Sequence, residues 1–389
     1  MPFYQRHGLM PKKRYTYLRK PDGKQYYEHI ITAEGFKGAA SLLYRLHSPA
    51  RMLKVEKAGA GPDVADASDG LVLNMLCRVG DVDGAGDFLR SRRPIYASND
   101  VVFSIAKPDR RMEGFYRNAG ADELVVVVQG SGVLQSVYGD LAYEALDVLF
   151  IPRGDTVRWA PDAGPQVMAV VESVTPLAIP PEFLKANGQF HEHAPYHERD
   201  LRGPAFREPV DEEGEFPVLI KTGQKLMRLI ADRHPFDVVG WDGWLYPFAL
   251  NLRDYEPKSG RIGLLPDQYA LFSNANALIA CITPRRMADH PDACAMQAFH
   301  QSMDYDEILY RFSGSTGVTE PAGGTITLHP RTFGHGPKPG FENLPPRTHQ
   351  DAWGLMVDTR AILHPTAAAM AASDEGYVRQ SVENQLVKG

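Results

Sequence analysis

Hydrophobic residues along this chain recur in short runs that turn residues interrupt, a pattern typical of β-strands rather than amphipathic helices. The clearest run, ELVVVVQ at residues 123–129, is apolar almost throughout and has the length of a buried strand. A glycine turn at 130–132 and a returning run at 133–138 predict a hairpin. Further strands are predicted at residues 145–152, 167–172, 216–220 and 225–230. Short helices are predicted only at residues 38–46 and 365–373, so the pattern favours an all-β protein with few short helices.

The chain also contains an internal repeat. FYRNAGADELVVVVQGSGV at 115–133 aligns with FHQSMDYDEILYRFSGSTGV at 299–318, with the phenylalanine, the Asp-Glu pair and the glycine turn in the same order. Downstream, LFIPRG at 149–154 corresponds to TLHPRT at 327–332. Two similar all-β units about 184 residues apart predict duplicated barrels rather than one sandwich. We expect one domain over residues 1–205 and a second over residues 206–389.

The two copies differ at the positions that carry chemistry. Both keep a glutamate, as Glu123 and Glu307. The second copy has His300, His329 and His335 where the first has Tyr116, Ile151 and Val157. Duplication followed by loss of a site explains this difference, so we expect metal ligands only in the domain at 206–389. We also expect Tyr116, Ile151 and Val157 to line a filled barrel interior.

His300, Glu307 and His335 are two imidazoles and one carboxylate. Strands of a small barrel could direct all three inward, and such a set is the facial triad that binds non-haem Fe(II) and leaves positions open. The alternative is three unrelated surface residues, but the repeat places them on equivalent strands. Asp306, beside Glu307, is mirrored by Asp122 in the copy without ligands, so a structural role is favoured for it.

Composition excludes several other classes of protein. With 43% hydrophobic and 23% charged residues among 389, the chain resembles an ordinary globular protein. A formal net charge of −6 argues against nucleic-acid binding, which needs a basic face. No run approaches the ~20 apolar residues of a membrane span, and the first twenty residues lack the apolar core of a signal peptide. The three scattered cysteines, Cys77, Cys281 and Cys294, are expected to be reduced thiols of a cytoplasmic protein.

Two segments around the candidate ligands resemble a known family. FHQSMDYDE at 299–307 and GGTITLHPRTFGHGP at 323–337 look like the metal-binding barrel of homogentisate 1,2-dioxygenases and their bacterial relatives. Other segments extend the resemblance over most of the chain, at residues 1–36, 221–229, 236–257 and 351–360. The resemblance implies a bicupin, with two jelly-roll (cupin) barrels, and places the iron ligands at His300, Glu307 and His335. It also implies that His329 contacts substrate or a metal ligand.

One position departs from the family pattern. The family has a histidine shortly after the central segment that serves as acid/base for the substrate hydroxyl, whereas residues 260–272, GRIGLLPDQYALF, contain none. Tyr269 stands there instead. With an ordinary pKa near ~10, tyrosine is a poor base at neutral pH, although beside a dication it could donate a proton or a hydrogen bond. The alternative for Tyr269 is packing in the barrel mouth.

The resemblance therefore implies a non-haem Fe(II) enzyme that opens the ring of a hydroxylated aromatic and inserts both atoms of O2. The substrate would be homogentisate or a related hydroquinone- or catechol-type acid. Two alternatives stay open: a metal-dependent cupin of other chemistry, such as an isomerase or a non-aromatic dioxygenase, and a binding bicupin without turnover. The last would predict loss of ligands in both copies. We expect a small aromatic substrate and O2 as partners, no nucleic-acid or membrane partner, and a homo-oligomer.

Overall fold

The computed structural model describes residues 3–257, 269–286, 299–315, 324–336 and 348–377. Cys294 and most of the segment 260–272 lie outside the described residues, while Tyr269 lies within them. Cys77 and Cys281 are buried free thiols.

The described residues are built mainly from β-strands. In chain order the strands are β1 (Gln5–Gly8), β2 (Tyr27–Thr32), β3 (Ala40–Arg45), β4 (Lys54–Ala60), β5 (Met75–Arg78), β6 (Arg93–Ala97), β7 (Val101–Ala106), β8 (Phe115–Asn118), β9 (Asp122–Gln129), β10 (Gly132–Ser136), β11 (Gly139–Tyr143), β12 (Asp147–Ile151), β13 (Val157–Pro161), β14 (Val167–Ser173), β15 (Leu201–Arg202), β16 (Glu213–Thr222), β17 (Lys225–Arg233), β18 (Val238–Gly243), β19 (Phe248–Asn251), β20 (Ala270–Ser273), β21 (Ala277–Ile282), β22 (Arg285–Arg286), β23 (Asp306–Ser315), β24 (Thr325–His329), β25 (His349–Thr359) and β26 (His364–Pro365). Helix α1 spans Ala367–Ala371, and four single-turn 3-10 helices lie at Val79–Asp81, Pro181–Phe183, Glu198–Asp200 and Leu252–Asp254.

These strands form four sheets. Sheet I has the order β1-β18-β3-β2, and sheet II has the order β11-β10-β13-β8-β16-β17-β4. Sheet III has the order β15-β19-β12-β9-β14-β7-β6-β26. Sheet IV has the order β20-β21-β25-β23-β24-β5, with β22 paired to β25. The all-β architecture predicted from the sequence is confirmed.

Sheet III lies between two apolar cores, which explains the continuous apolar run of β9. Successive side chains of a strand point to opposite faces. Val125 and Val127 face the core shared with sheet II, which is the interior of the first barrel. Leu124 and Val126 face the larger core shared with sheet IV, where they lie with Ile308 and other residues of β23. A strand buried on both faces has no polar side to alternate.

The barrels combine strands from distant parts of the chain. β16 pairs with β8 in sheet II, and β19 pairs with β12 in sheet III. Conversely, β5 from the N-terminal part pairs with β24 at the edge of sheet IV. Sheets II, III and IV thus draw strands from both sides of residue 205, and a division into 1–205 and 206–389 stays a prediction.

Two local predictions are wrong. Residues 38–46 contain strand β3 rather than a helix, because β3 pairs with β2 on one side and β18 on the other. The run at 123–129 does not form a hairpin with 133–138. Instead β9 pairs with β12 and β14, while β10 turns back through residues 137–138 to pair with β11. The helix predicted at 365–373 does contain α1.

Candidate metal centre

Strands β23 and β24 place the carboxylate and one imidazole of the candidate site side by side. In β23, Ile308 and Tyr310 point into the core, so Glu307 points to the opposite face of sheet IV. Glu307 lies directly across from His329 of β24. The Nδ1 atom of His329 is 2.7 Å from Glu307 Oε1. Both side chains are largely buried, with 16% of Glu307 and 7% of His329 exposed.

The other two histidines come together through a short backbone bridge. The amide of His300 donates to the carbonyl of His335, and the amide of His335 donates back, each at 2.9 Å. Their ring centroids are 4.3 Å apart. One ligand atom from each of His300, Glu307 and His335 lies within 4.8 Å of the others. The two imidazoles and the carboxylate that the repeat singled out therefore converge on one point.

The hydrogen bonds of His335 leave one of its nitrogens available to a metal. Its Nδ1 is 3.1 Å from the carbonyl oxygen of Phe333, so we assign the ring proton to Nδ1. The Nε2 atom is buried without a hydrogen-bond partner and lies 3.7 Å from Glu307 Oε1. Metal-binding histidines commonly donate their other N–H to a carbonyl in this way. This donor set fits a borderline divalent metal such as Fe(II).

The charges at the site favour an ionised Glu307 beside a neutral His329. Burial alone would raise the pKa of Glu307, but the hydrogen bond from His329 and the nearby imidazole of His335 outweigh it and hold the pKa below its ordinary value. Burial lowers the pKa of His329 despite the neighbouring Glu307. The pKa of Asp358 is raised well above its ordinary value by burial and by the charge of Glu307. Asp358 lies across from Glu307 on β25.

The same cross-strand pairs recur in both barrels. Tyr116 pairs with Val157 in the first barrel, as His300 pairs with His335 in the second. Glu123 pairs with Ile151 on one side and Glu172 on the other. Glu307 in turn pairs with His329 and Asp358. The internal repeat is thus reproduced pair by pair in the backbone. The prediction of a filled first barrel is confirmed, since Tyr116, Ile151 and Val157 are at most 4% exposed and share one apolar core.

A buried arginine takes the central position in the first barrel. Arg92 is fully buried, with Nη1 2.7 Å from Glu123 Oε1 and Nη2 2.7 Å from Glu172 Oε1. Lys221 adds a second cation, 2.5 Å from Glu172 Oε2. The hydroxyl of Tyr116 donates to Glu123 Oε1 at 2.8 Å. The glutamate equivalent to Glu307 is therefore neutralised by the protein's own cations.

The structural role expected for Asp306 is supported by identical contacts in both barrels. Asp306 accepts from the amide and Nε of Arg331 at 2.9 and 2.8 Å. Asp122 accepts the equivalent bonds from Arg153, both at 3.0 Å. Because the first barrel keeps this Asp–Arg pair without its histidines, the pair serves the barrel rather than the metal.

Tyr269 lies directly before strand β20 and packs against Arg285. Its ring lies under the guanidinium of Arg285, whose Cζ is 4.6 Å from the ring centroid. Arg285 is partly buried, and its Nε and Nη1 atoms have no hydrogen-bond partner. The role of Tyr269 in proton handling stays a prediction.

Sequence reasoning missed Arg92 and Asp358. Arg92 lies outside the repeated segment, so the alignment of the two copies could not reveal it. Asp358 could have been found by extending the repeat to the strand that contains Glu172, where the second copy reads MVDT against VVES in the first.

Comparison with known proteins agrees with this architecture. Residues 97–252 match the family model described as the N-terminal part of homogentisate 1,2-dioxygenase. The chain is 32% identical over 388 residues to a protein of Saccharolobus solfataricus named "Putative dioxygenase SSO1533", an alignment that covers 97% of this chain and 98% of that protein. The chain belongs to the homogentisate 1,2-dioxygenase-like family. Within this family it is a bicupin whose second barrel carries the converging histidines.

Two solved structures are distantly similar to this chain. A mutant of Bacillus subtilis oxalate decarboxylase is 12% identical, with a TM-score of 0.35 over 81% of this chain and 85% of that one. A cupin-2 domain protein from Shewanella frigidimarina is 20% identical, with a TM-score of 0.20 over 21% of this chain and 79% of that one.

Across the described ranges, no helix is both long and apolar enough to span a bilayer.

Proposed function

We propose that this homogentisate dioxygenase-like bicupin is a non-haem Fe(II) dioxygenase that opens the ring of a hydroxylated aromatic and inserts both atoms of O2. The substrate class is homogentisate or a related hydroquinone- or catechol-type acid. The observation that carries the proposal is the convergence of His300, Glu307 and His335 within 4.8 Å in a family of this kind. Two imidazoles and one carboxylate leave coordination positions open for substrate and dioxygen.

His300, Glu307 and His335 would hold the iron. The carbonyl of Phe333 fixes the ring of His335 so that Nε2 faces Glu307. The hydrogen bond from His329 Nδ1 and the nearby ring of His335 favour the ionised carboxylate of Glu307. When bound, Fe(II) supplies Lewis acidity toward a substrate hydroxyl and an electron path to dioxygen.

His329 is the group best placed to handle a proton beside this site. With Nδ1–H donating to Glu307, the neutral ring has an unprotonated Nε2 that can accept the proton of a substrate hydroxyl. Its ring also stacks on that of His335, with centroids 4.0 Å apart. We propose that His329 both positions Glu307 and accepts this proton, while Tyr269 donates a proton or hydrogen bond to substrate or oxygen.

The proposal is tested by metal stoichiometry and oxygen uptake. Protein purified without oxygen and titrated with Fe(II) should bind one equivalent per chain, because only the second barrel offers ligands. Oxygen uptake should follow addition of one member of a panel of hydroquinone and catechol acids. With labelled dioxygen, both atoms should appear in a ring-opened product.

A matched pair of variants locates the activity in the second barrel. His300→Phe should abolish iron binding and oxygen uptake, whereas Tyr116→Phe, at the equivalent position of the first barrel, should leave both unchanged. Two equivalents of iron, or turnover that survives His300→Phe, would contradict the assignment. Oxygen uptake with a non-aromatic substrate alone would instead favour a cupin dioxygenase of other chemistry.

A further inference from the structure

Arg311 lies on the inner face of the second barrel and forms no ion pair among the described residues. It follows Glu307 by four residues on β23, and because side chains alternate between faces it points to the same face of sheet IV. Its Nε is buried and has no hydrogen-bond partner. Burial lowers the pKa of Arg311, and the charges of Tyr377 and Glu307 offset this only in part. By contrast, Arg92 of the first barrel touches two carboxylates.

The fold itself does not require an arginine at this position. Arg311 pairs with Gly354 in the second barrel, and the equivalent pair in the first barrel is Val127 with Met168. Val127 is fully buried in the apolar core of the first barrel. Burying a cation without a partner costs free energy, and arginine does not lose its proton to avoid that cost. A partner that arrives from outside would offset the cost.

The position of Arg311 suits one end of an elongated ligand. Four residues along a strand separate the Cα atoms of Glu307 and Arg311 by about 13 Å, so the two side chains lie at different points along one face of sheet IV.

We propose that Arg311 binds the carboxylate of the aromatic substrate and so selects acids over neutral analogues. This inference rests on the proposed function for the identity of the ring, and it adds the residue that recognises the acid group. Planar guanidinium and carboxylate can form two parallel hydrogen bonds, which fixes the orientation of the ring as well as its charge.

The test uses equilibrium binding, so it does not depend on turnover. Phenylacetate and its neutral isostere phenylacetamide are titrated calorimetrically into the metal-free full-length protein. We expect the acid to bind at least about 30-fold more tightly than the amide, and Arg311→Met to remove the difference, since truncating one partner of a buried charged pair has effects of this size or larger. Arg311→Lys should retain part of the preference for the acid, because lysine keeps the positive charge but lacks the planar guanidinium that forms two parallel hydrogen bonds.

Arg78 provides a matched control. It lies in line with Arg311 across sheet IV, since Arg78 of β5 pairs with Thr325 of β24 and Thr325 pairs with Arg311. Its side chain is 49% exposed and forms an ion pair with Asp374. Arg78→Gln should keep the preference for the acid. Circular dichroism checks that each variant is folded, and Arg311→Lys replaces Arg311→Met if the latter does not fold.

The outcomes separate this inference from the proposed function. Failure of the acid to bind wild-type protein, equal binding of acid and amide, or a preference that survives both Arg311 variants would overturn the role of Arg311. If the preference depends on Arg311 but no hydroquinone supports oxygen uptake, the anion site stands and the dioxygenase proposal fails.

Discussion

Replacing Arg92 by methionine tests whether the first barrel depends on an internal cation. Arg92 is fully buried and lies 2.7 Å from an oxygen of Glu123 and 2.7 Å from an oxygen of Glu172. Methionine has a similar length but no charge and no hydrogen-bond donor. After the substitution Glu172 keeps the ammonium of Lys221 at 2.5 Å. Glu123 keeps only neutral donors, the hydroxyl of Tyr116 and the amide of Asn118.

The expected loss of stability follows from this change in partners. Breaking a buried ion pair by removing one member typically costs about 3–5 kcal/mol, because the other charge stays buried without compensation. We therefore expect Arg92→Met to lower the free energy of unfolding by about 3–5 kcal/mol. Adding Glu123→Gln removes the uncompensated charge and should recover a large part of that loss. Iron content should not change, since the candidate metal centre lies in the other barrel.

Urea unfolding monitored by circular dichroism measures both variants, and the shift in midpoint gives the stability change if the slope is unchanged. Glu123→Gln alone completes the double-mutant cycle. A loss below about 1 kcal/mol for Arg92→Met, or strictly additive effects of the two substitutions, would refute the idea that the ion pair balances charge inside the barrel.

Three further predictions concern histidine and tyrosine side chains. His329→Leu should weaken iron binding by about 10- to 100-fold, as expected when a hydrogen bond that orients a metal ligand is lost; unchanged affinity in an iron titration would show that Glu307 is held without it. Tyr269→Phe should lower turnover by roughly 10²-fold at unchanged iron content if the hydroxyl transfers a proton, whereas full activity in the oxygen-uptake assay would assign the ring to packing. His234 accepts the amide of Phe236 at Nδ1, and burial, followed by the charges of nearby arginines, lowers its pKa to about 4. A folded-state pKa below the unfolded value gives stability that is present above about pH 6.5 and lost toward pH 4. In the His234→Asn variant, the free energy of unfolding should therefore fall by about 2–3 kcal/mol less over that range than in the wild type. Parallel curves of unfolding free energy against pH for variant and wild type would contradict this.

The sequence predicted that His300, Glu307 and His335 lie together, whereas part of the local structure was predicted wrongly. The candidate ligand positions could be found because the duplication provides an internal reference, in which His300 stands in place of Tyr116 within an otherwise similar segment. Residues 38–46 were mistaken for a helix because alanine and leucine favour helices, whereas two neighbouring strands decide the conformation of β3. The partners of β9 come from distant segments, and no local turn signal reveals them.

Residues that act from outside the repeated segment could not be predicted in this way. Arg92 enters the first barrel from the segment just before β6, and Lys221 enters from β16, far along the chain. Their functions depend on carboxylates that only the fold brings near them. The sequence shows that the first copy has no histidine at these positions, but it does not show which side chains balance Glu123 there.

The two barrels support a single account of how a carboxylate is kept inside this fold. Both keep a glutamate at the same position, and both keep the Asp–Arg pair beside it, Asp122 with Arg153 and Asp306 with Arg331. What differs is the source of positive charge. In the first barrel a guanidinium and an ammonium balance Glu123 and Glu172, and apolar side chains fill the remaining space. In the second barrel no lysine or arginine contacts Glu307 among the described residues, so histidines and, on our proposal, a metal ion must balance it. Because burying an ionised carboxylate without compensation is costly, a barrel that has Glu123 but not the histidines is stabilised by another cation, and Arg92 supplies it.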